Sequence, residues 1–254
     1  YVRGAYKLNP LRGRSLKATA LILAGSRHTA SEIPAAHRDR TVWLPENAID
    51  PTRFNLVADQ DLSLPLRGCF VGRLVPYKGP DMLLEAAAPL VADGRLVLDI
   101  VGDGPMMAAL REQADALKIA QGVTFHGNLP HQQVQEVMAR ANLLTFPSIR
   151  EFGGGVVLEA MALGVVPMVV DYAGPGELVS EATGYPIPLG RRAQIVDGFR
   201  AALTALAADP SALPGKARLA RDQALSEFTW DAKAARIVAL YRDVLDRRAA
   251  RGTA

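Results

Sequence analysis

The chain has 254 residues, 49% hydrophobic and 22% charged, enough apolar material to bury a sizeable core in one large or two smaller domains. Its net charge of +3 is mildly basic, but no Lys/Arg run with interleaved aromatics marks a nucleic-acid surface, so nucleic acid is not expected as a partner. No uncharged apolar stretch reaches the roughly 20 residues of a membrane span, and the N-terminus does not read as a signal peptide. The single cysteine, Cys69, permits no intrachain disulfide and fits a reducing, cytoplasmic compartment. A first residue of Tyr1 rather than Met suggests a segment of something longer.

Residues 1–57 read as about one αβ unit, too little for a domain: a strand over Ala20–Ala24, a helix over Thr29–Arg38 and a strand over Thr41–Leu44. The polar stretch Ala58-Asp59-Gln60-Asp61-Leu62-Ser63 lies in a linker, residues 58–66. From Arg67 onward, short apolar runs alternate with amphipathic stretches. Cys69–Val71, Leu96–Val101, Val123–Phe125, Leu143–Phe146 and Val165–Val170 read as strands, separated by helices over Asp81–Val91, Met106–Leu117, Gln132–Arg140 and Val156–Leu163. Continuous apolar strands between helices predict an α/β domain with a Rossmann-like, doubly wound parallel sheet over residues 67–226. The last segment, 227–254, opens with a Thr229 N-cap or Asp231 first-turn signal. It continues as an amphipathic helix with Ile237, Leu240, Tyr241, Val244 and Leu245 on one face and Arg236, Arg242, Arg247, Arg248 and Arg251 as a solvated face.

Two loops of that domain carry chemistry. After the first strand, Gly72-Arg73-Leu74-Val75-Pro76-Tyr77-Lys78-Gly79 sets two cations beside glycines; Arg offers a donor fork for paired phosphate oxygens and Lys a point charge. After the Leu143 strand, Glu151-Phe152-Gly153-Gly154-Gly155-Val156-Val157-Leu158-Glu159 puts one carboxylate before a triple-glycine turn and another one turn into a helix. Gly155 then sits at a helix N-terminus, where free N–H groups and the dipole favour a pyrophosphate. Carboxylates beside such a seat suit the hydroxyls flanking the phosphates, as in dinucleotide folds. Read alone, the turn also admits a plain glycine bend with a partly solvated Glu151 and a surface Glu159.

Taken together, Gly72-Arg73 with Lys78-Gly79, Val101-Gly102-Asp103-Gly104-Pro105, Val123–Gly127, Phe146-Pro147-Ser148, the Glu151/Glu159 pair, Ala160-Met161-Ala162 and Gly174-Pro175-Gly176-Glu177 form an ordered set. It resembles the donor-binding half of the GT-B fold retaining glycosyltransferases, family 4-like (glycosyl transferases group 1), which include sucrose synthase, glycogen synthase and bacterial cell-envelope mannosyl- and glucosyltransferases. The match is close over roughly residues 67–190; Pro45–Phe54 resembles the family's interdomain hinge, and Phe228-Thr229-Trp230 the start of its final helix. Residues 1–57 are then the tail of an N-terminal acceptor domain, and a chain lacking most of that domain is expected to bind donor but turn over slowly or not at all.

The resemblance implies a hexosyltransferase acting on a nucleotide sugar, with Arg73 and Lys78 on the diphosphate and the backbone of Gly154, Gly155 and Val156 completing that seat beside Gly72 and Gly153. Glu151 is implied to bind hydroxyls of the transferred sugar and Glu159 the ribose, with Glu151, Arg73 and Lys78 carrying the chemistry. His126, Gly127 and Asn128 are implied to border the base. No cofactor or metal is required, because fixed cations and amides stabilise the leaving diphosphate. The implied acceptor is a glycan, a lipid-linked sugar or a small molecule, and such enzymes often make peripheral contact with the inner face of the bacterial membrane.

Two positions depart from the pattern: Gly153 stands where the family usually has an aromatic, and Ala48 replaces the hinge glycine. The remaining signals are weaker. Gly102-Asp103-Gly104 lacks the third glycine of a dinucleotide fingerprint, with Met107 in its place, so Asp103 reads as a turn cap. Asp59-Gln60-Asp61 spells an acidic metal-binding pair by coincidence, and His28, His37, His126 and His131 have no metal-ligand spacing. Cys69 reads as a packed core thiol. A nucleotide-sugar epimerase of the same architecture and a non-catalytic nucleotide-sugar binding module remain alternatives.

Overall fold

The computed structural model describes residues 9–54, 56–58 and 61–252. The chain begins with α1 (Pro10–Ala18), β1 (Ile22–Ala24), α2 (Arg27–Ser31) and β2 (Thr41–Trp43), the two strands pairing in parallel. The helix expected over Thr29–Arg38 is broken. Pro34 leaves Ile33 and itself outside any helix, and the chain resumes as a 3₁₀ turn over Ala35–Arg40. Proline cannot donate to the preceding turn and disfavours helical geometry in the residue before it.

The body follows as β3 (Leu66–Val71), α3 (Pro80–Ala92), β4 (Leu96–Val101), α4 (Met107–Ala116), β5 (Val123–Gly127), α5 (His131–Ala139), β6 (Leu143–Phe146), α6 (Gly155–Leu163) and β7 (Val166–Asp171). It continues through α7 (Ala173–Leu178), β8 (Tyr185–Pro188), α8 (Arg192–Ala208) and α9 (Leu213–Glu227), and α10 (Trp230–Gly252) ends the chain. Its six strands form a wholly parallel sheet in the order β5-β4-β3-β6-β7-β8. Sheets of this kind are covered by helices on both faces, so the central strands are largely apolar: all four residues of β6, Thr145 the polar one among them, and five of six in β7 are buried. The core runs from Leu66 and Phe70 through Leu143, Phe146 and Val169 to Phe199 and Ala220. Strand order reverses at β3, which has β4 on one side and β6 on the other. Ligands of open α/β sheets bind outside the carboxyl ends of strands at such a point.

The hinge segment returns the chain from the small sheet to the body. Ile49 donates its N–H to Phe228 O and accepts from Trp230 N at 2.9 and 3.1 Å, fastening the hinge to the start of α10. Thr229 caps that helix through Ala232 N, with Asp231 in the first turn, as its sequence predicts. The apolar face of α10 is only partly covered: Ile237, Leu240 and Val244 are half-buried, whereas Tyr241 and Leu245 are exposed. Arg236, Arg242, Arg247 and Arg248 are exposed, and Arg247 pairs with Asp243.

Candidate active site at the strand switch

The loops after β3, β4 and β6 are tied to one another through their backbones. Ile149 N and Ser148 Oγ both donate to Tyr77 O, at 2.9 and 3.3 Å, and Leu74 exchanges backbone bonds with Asp103 O and Met106 N at 2.9 and 3.1 Å. The cation loop therefore rests on a fixed rim. Within it a single 3₁₀ turn, Pro76–Lys78, ends at Gly79. That turn places Lys78 Nζ 4.8 Å from the centre of the Phe146 ring and in an ion pair with Glu151 Oε2. Both side chains are largely enclosed, at 16% and 22% exposure, so the pair preorganises two opposite charges at the switch point. Arg73, on the same loop, is exposed and forms no ion pair or side-chain hydrogen bond among the described residues.

The glycine turn is the second wall. Gly154 adopts φ 62°, a left-handed conformation that costs other residues strain, and it forms the N-cap of α6 without side-chain help. Among the described residues the N–H groups of Gly155 and Val156 have no acceptor. These are the orphan first-turn donors that, with the helix dipole, favour an anion. At the other end Gly164, φ 76°, stops the helix as expected.

Glu159, one turn in, is not a solvated surface residue. Its side chain is 29% exposed and its carboxylate lies 3.8 Å from His131 Nε2 at the start of α5. Burial raises its carboxyl above the ordinary glutamate value, while His131 and then Arg53 of the hinge segment pull it down. Phe54 steadies His131 from the hinge side, with ring centres 5.7 Å apart.

The structure gathers Lys78, Glu151 and the glycine turn at one strand end, with Val156 and Glu159 in the first turns of α6. His126 lies near the end of β5. The ring bonds Asp99 Oδ1 at 2.7 Å on the β4–β5 side of the sheet, which commits one of its nitrogens to the protein; Gly127 (φ 68°) and the exposed Asn128 follow at the strand end. Asp103 Oδ1 accepts from Gly104 N at 2.6 Å, a local turn cap. Cys69 is fully buried, and burial with Asp99 nearby pushes its thiol far up. Asp59 and Gln60 lie outside the described residues, while Asp61 turns its carboxylate to Ser63.

Two residues escaped the sequence. In the sequence His131 is one of four dispersed histidines, and Asn47 is only part of the hinge motif. Asn47 packs directly on the glycine turn: a β-carbon on Gly153 would collide with its Nδ2, and one on Gly155 would lie 3.3 Å from the same atom. Among the described residues no group of three or more His, Cys, Asp or Glu could hold a metal ion, and no helix is long and apolar enough to cross a membrane.

Residues 66–207 match the family described as glycosyl transferases group 1, and the chain belongs to that family. It is 30% identical over 197 residues to a glycogen synthase of Mycobacterium tuberculosis, an alignment covering 77% of this chain and 47% of the relative. With a D-inositol 3-phosphate glycosyltransferase of Gordonia bronchialis it shares 33% identity over 193 residues, 72% of this chain and 41% of the relative. The chain therefore spans less than half the length of these two relatives. Among solved structures it is similar to Anabaena Alr3699/HepE in complex with UDP, with a TM-score of 0.72 at 19% identity over 91% of this chain and 64% of the other. That likeness establishes the GT-B, Rossmann-like architecture.

Proposed function

We propose that the protein supplies the nucleotide-sugar site of a metal-independent, retaining hexosyltransferase. The observation that carries the reading is the Lys78–Glu151 ion pair at the strand switch, beside a helix start with unspent N–H groups. As the bond from sugar C1 to the diphosphate breaks, its electron pair passes to the diphosphate. Lys78, Arg73 and the amides of Gly155 and Val156 meet the added charge in place, without a metal ion. Glu151, released from Lys78 by the arriving phosphates, holds hydroxyls of the transferred sugar, and Glu159 holds the ribose. His126, Gly127 and Asn128 border the base. Similarity to glycogen synthase and to an inositol-phosphate glycosyltransferase supports transfer to a hydroxyl acceptor, which we assign to a glycan, a lipid-linked sugar or a small molecule of a bacterial cell. Work at the cytoplasmic face of the membrane belongs to the same proposal.

Thermal unfolding with UDP, GDP and ADP, each with and without its common sugars and in EDTA, tests the reading. A ligand at a hundred times its Kd adds about 2.7 kcal/mol of stability. A shift with one base that Lys78→Ala removes is the expected result. No shift with any nucleotide rejects the site. Conversion of the donor sugar without any acceptor would instead favour the epimerase.

A further inference from the structure

Gly153 and Asn47 are a matched pair. The volume that any side chain at 153 would need is occupied by the Asn47 carboxamide, which reaches the glycine turn from the hinge. That carboxamide makes no hydrogen bond to a described residue, and neither of its polar atoms is sealed from solvent. Two amide donors thus stand unspent against the turn whose Gly155 and Val156 N–H groups are also unspent. Unspent donors from two separate segments beside one turn suit an oxygen anion.

Resting on the proposed reading of this site as a donor seat, we infer that Asn47 is a ligand-contacting residue: its Nδ2–H donates to an oxygen of the diphosphate seated at the start of α6. The hinge then takes part in binding, so the nucleotide is held from the body and from the hinge at once. The absence of a side chain at Gly153 leaves the room that Asn47 fills. Its donors are directional where Lys78 contributes a point charge, so Asn47, with the Arg73 fork, fixes how the diphosphate lies rather than merely that an anion binds.

Isothermal titration of the full chain with the nucleotide selected above tests this, using wild type, Asn47→Ala, Asn47→Asp and Lys78→Ala. Asn47→Ala is expected to weaken binding about tenfold. Asn47→Asp has the same shape, so the ligand-free protein keeps its melting temperature; the added carboxylate facing phosphate weakens binding further than alanine does. A purely packing role predicts the reverse order, with Asp harmless and Ala damaging. If wild type binds, Lys78→Ala fails to bind and the Asn47→Asp variant binds like wild type, the donor seat stands and the role of Asn47 is rejected. If wild type binds no nucleoside diphosphate, both readings fall together.

Discussion

The six-stranded body and the two-stranded N-terminal unit are written in the same βα idiom but are held together by different means. In the body, β6 and β7 are sealed between helices and the core is continuous from β3 to α9. In the N-terminal unit every residue of β2 is only half-buried, and α2 has no buried residue at all. The unit is fixed instead by discrete polar ties. Glu177 of α7 accepts hydrogen bonds from Arg27 N and His28 N at 2.6 and 3.0 Å, His28 stacks obliquely on Tyr172 with ring centres 5.3 Å apart, and Ile49 is clipped to α10. Burial is roughly proportional to area and tolerates little movement, whereas a handful of hydrogen bonds, each contributing about 1 kcal/mol, can be exchanged. Nucleotide affinity should therefore answer to substitutions in the body and at Asn47 of the hinge, and the attachment of the N-terminal unit to those few ties.

The largest effect is expected at the ion pair. In the intact enzyme, Lys78→Ala should lower kcat/KM for transfer at least a hundredfold, since one preorganised partner of the developing charge contributes about 3 kcal/mol, and it should also weaken nucleoside diphosphate binding. Glu151→Ala should separate the two quantities. Transfer is lost, while affinity for the bare diphosphate is kept or increased because Lys78 is freed and a carboxylate is removed from beside the phosphates. Equal losses of diphosphate affinity in both variants would show that the pair is structural.

Next in size is Glu159→Gln. Burial raises the carboxyl of Glu159 above its unfolded value, so the folded chain holds this proton over a pH range in which the unfolded chain has released it. Stability is accordingly greatest below the ordinary glutamate range and declines as pH rises through the interval up to the folded value. The amide has no such proton to lose. Ligand-free Glu159→Gln should therefore be slightly more stable than wild type at pH 7, with a flatter stability profile on the acid side. Its nucleotide affinity should fall about tenfold, because a charged acceptor of the ribose hydroxyls becomes a neutral one. Calorimetry from pH 4 to pH 8 with and without nucleotide reads both signs, and a variant less stable than wild type when empty would undo the argument.

How much of this was written locally in the sequence follows from where each constraint acts. Leu96–Val101 and Leu143–Phe146 are legible to the residue because strands covered on both faces are mostly apolar, with Asp99 and Thr145 the single polar residues of the two runs. The glycine turn is legible because its chemistry lies in nine consecutive residues. The break at Pro34 was available in the sequence but was outweighed by the surrounding helix formers. On α10, amphipathic spacing marked a face without saying how completely it is covered, and Tyr241 and Leu245 are exposed. Asn47 and His131 were not legible as site residues, because each meets its partner across the fold: hinge to glycine turn, and the start of α5 to α6. Periodicity reports which side of an element faces the core; it does not report which loop arrives at which.

The smallest effect is expected where the two regions are joined. Glu177 sits in the body, yet its carboxylate serves the N-terminal unit, satisfying two first-turn amides of α2 that otherwise have only water. A capping carboxylate contributes typically about 1 kcal/mol, small against the stability of the whole chain but large for a five-residue helix with no buried side chain. Glu177→Ala should thus leave the main unfolding transition nearly in place while amides of residues 22–43 exchange hydrogen several-fold faster, with nucleotide affinity within twofold of wild type. A Glu177→Gln control keeps one acceptor and should fall between. The decisive comparison is between exchange and affinity: faster exchange with unchanged binding means that the body holds its ligand without the unit being fixed. A matching loss of affinity would mean that the contact at Glu177 positions the glycine turn through α7, which packs against Gly154 by way of Pro175 and Leu178.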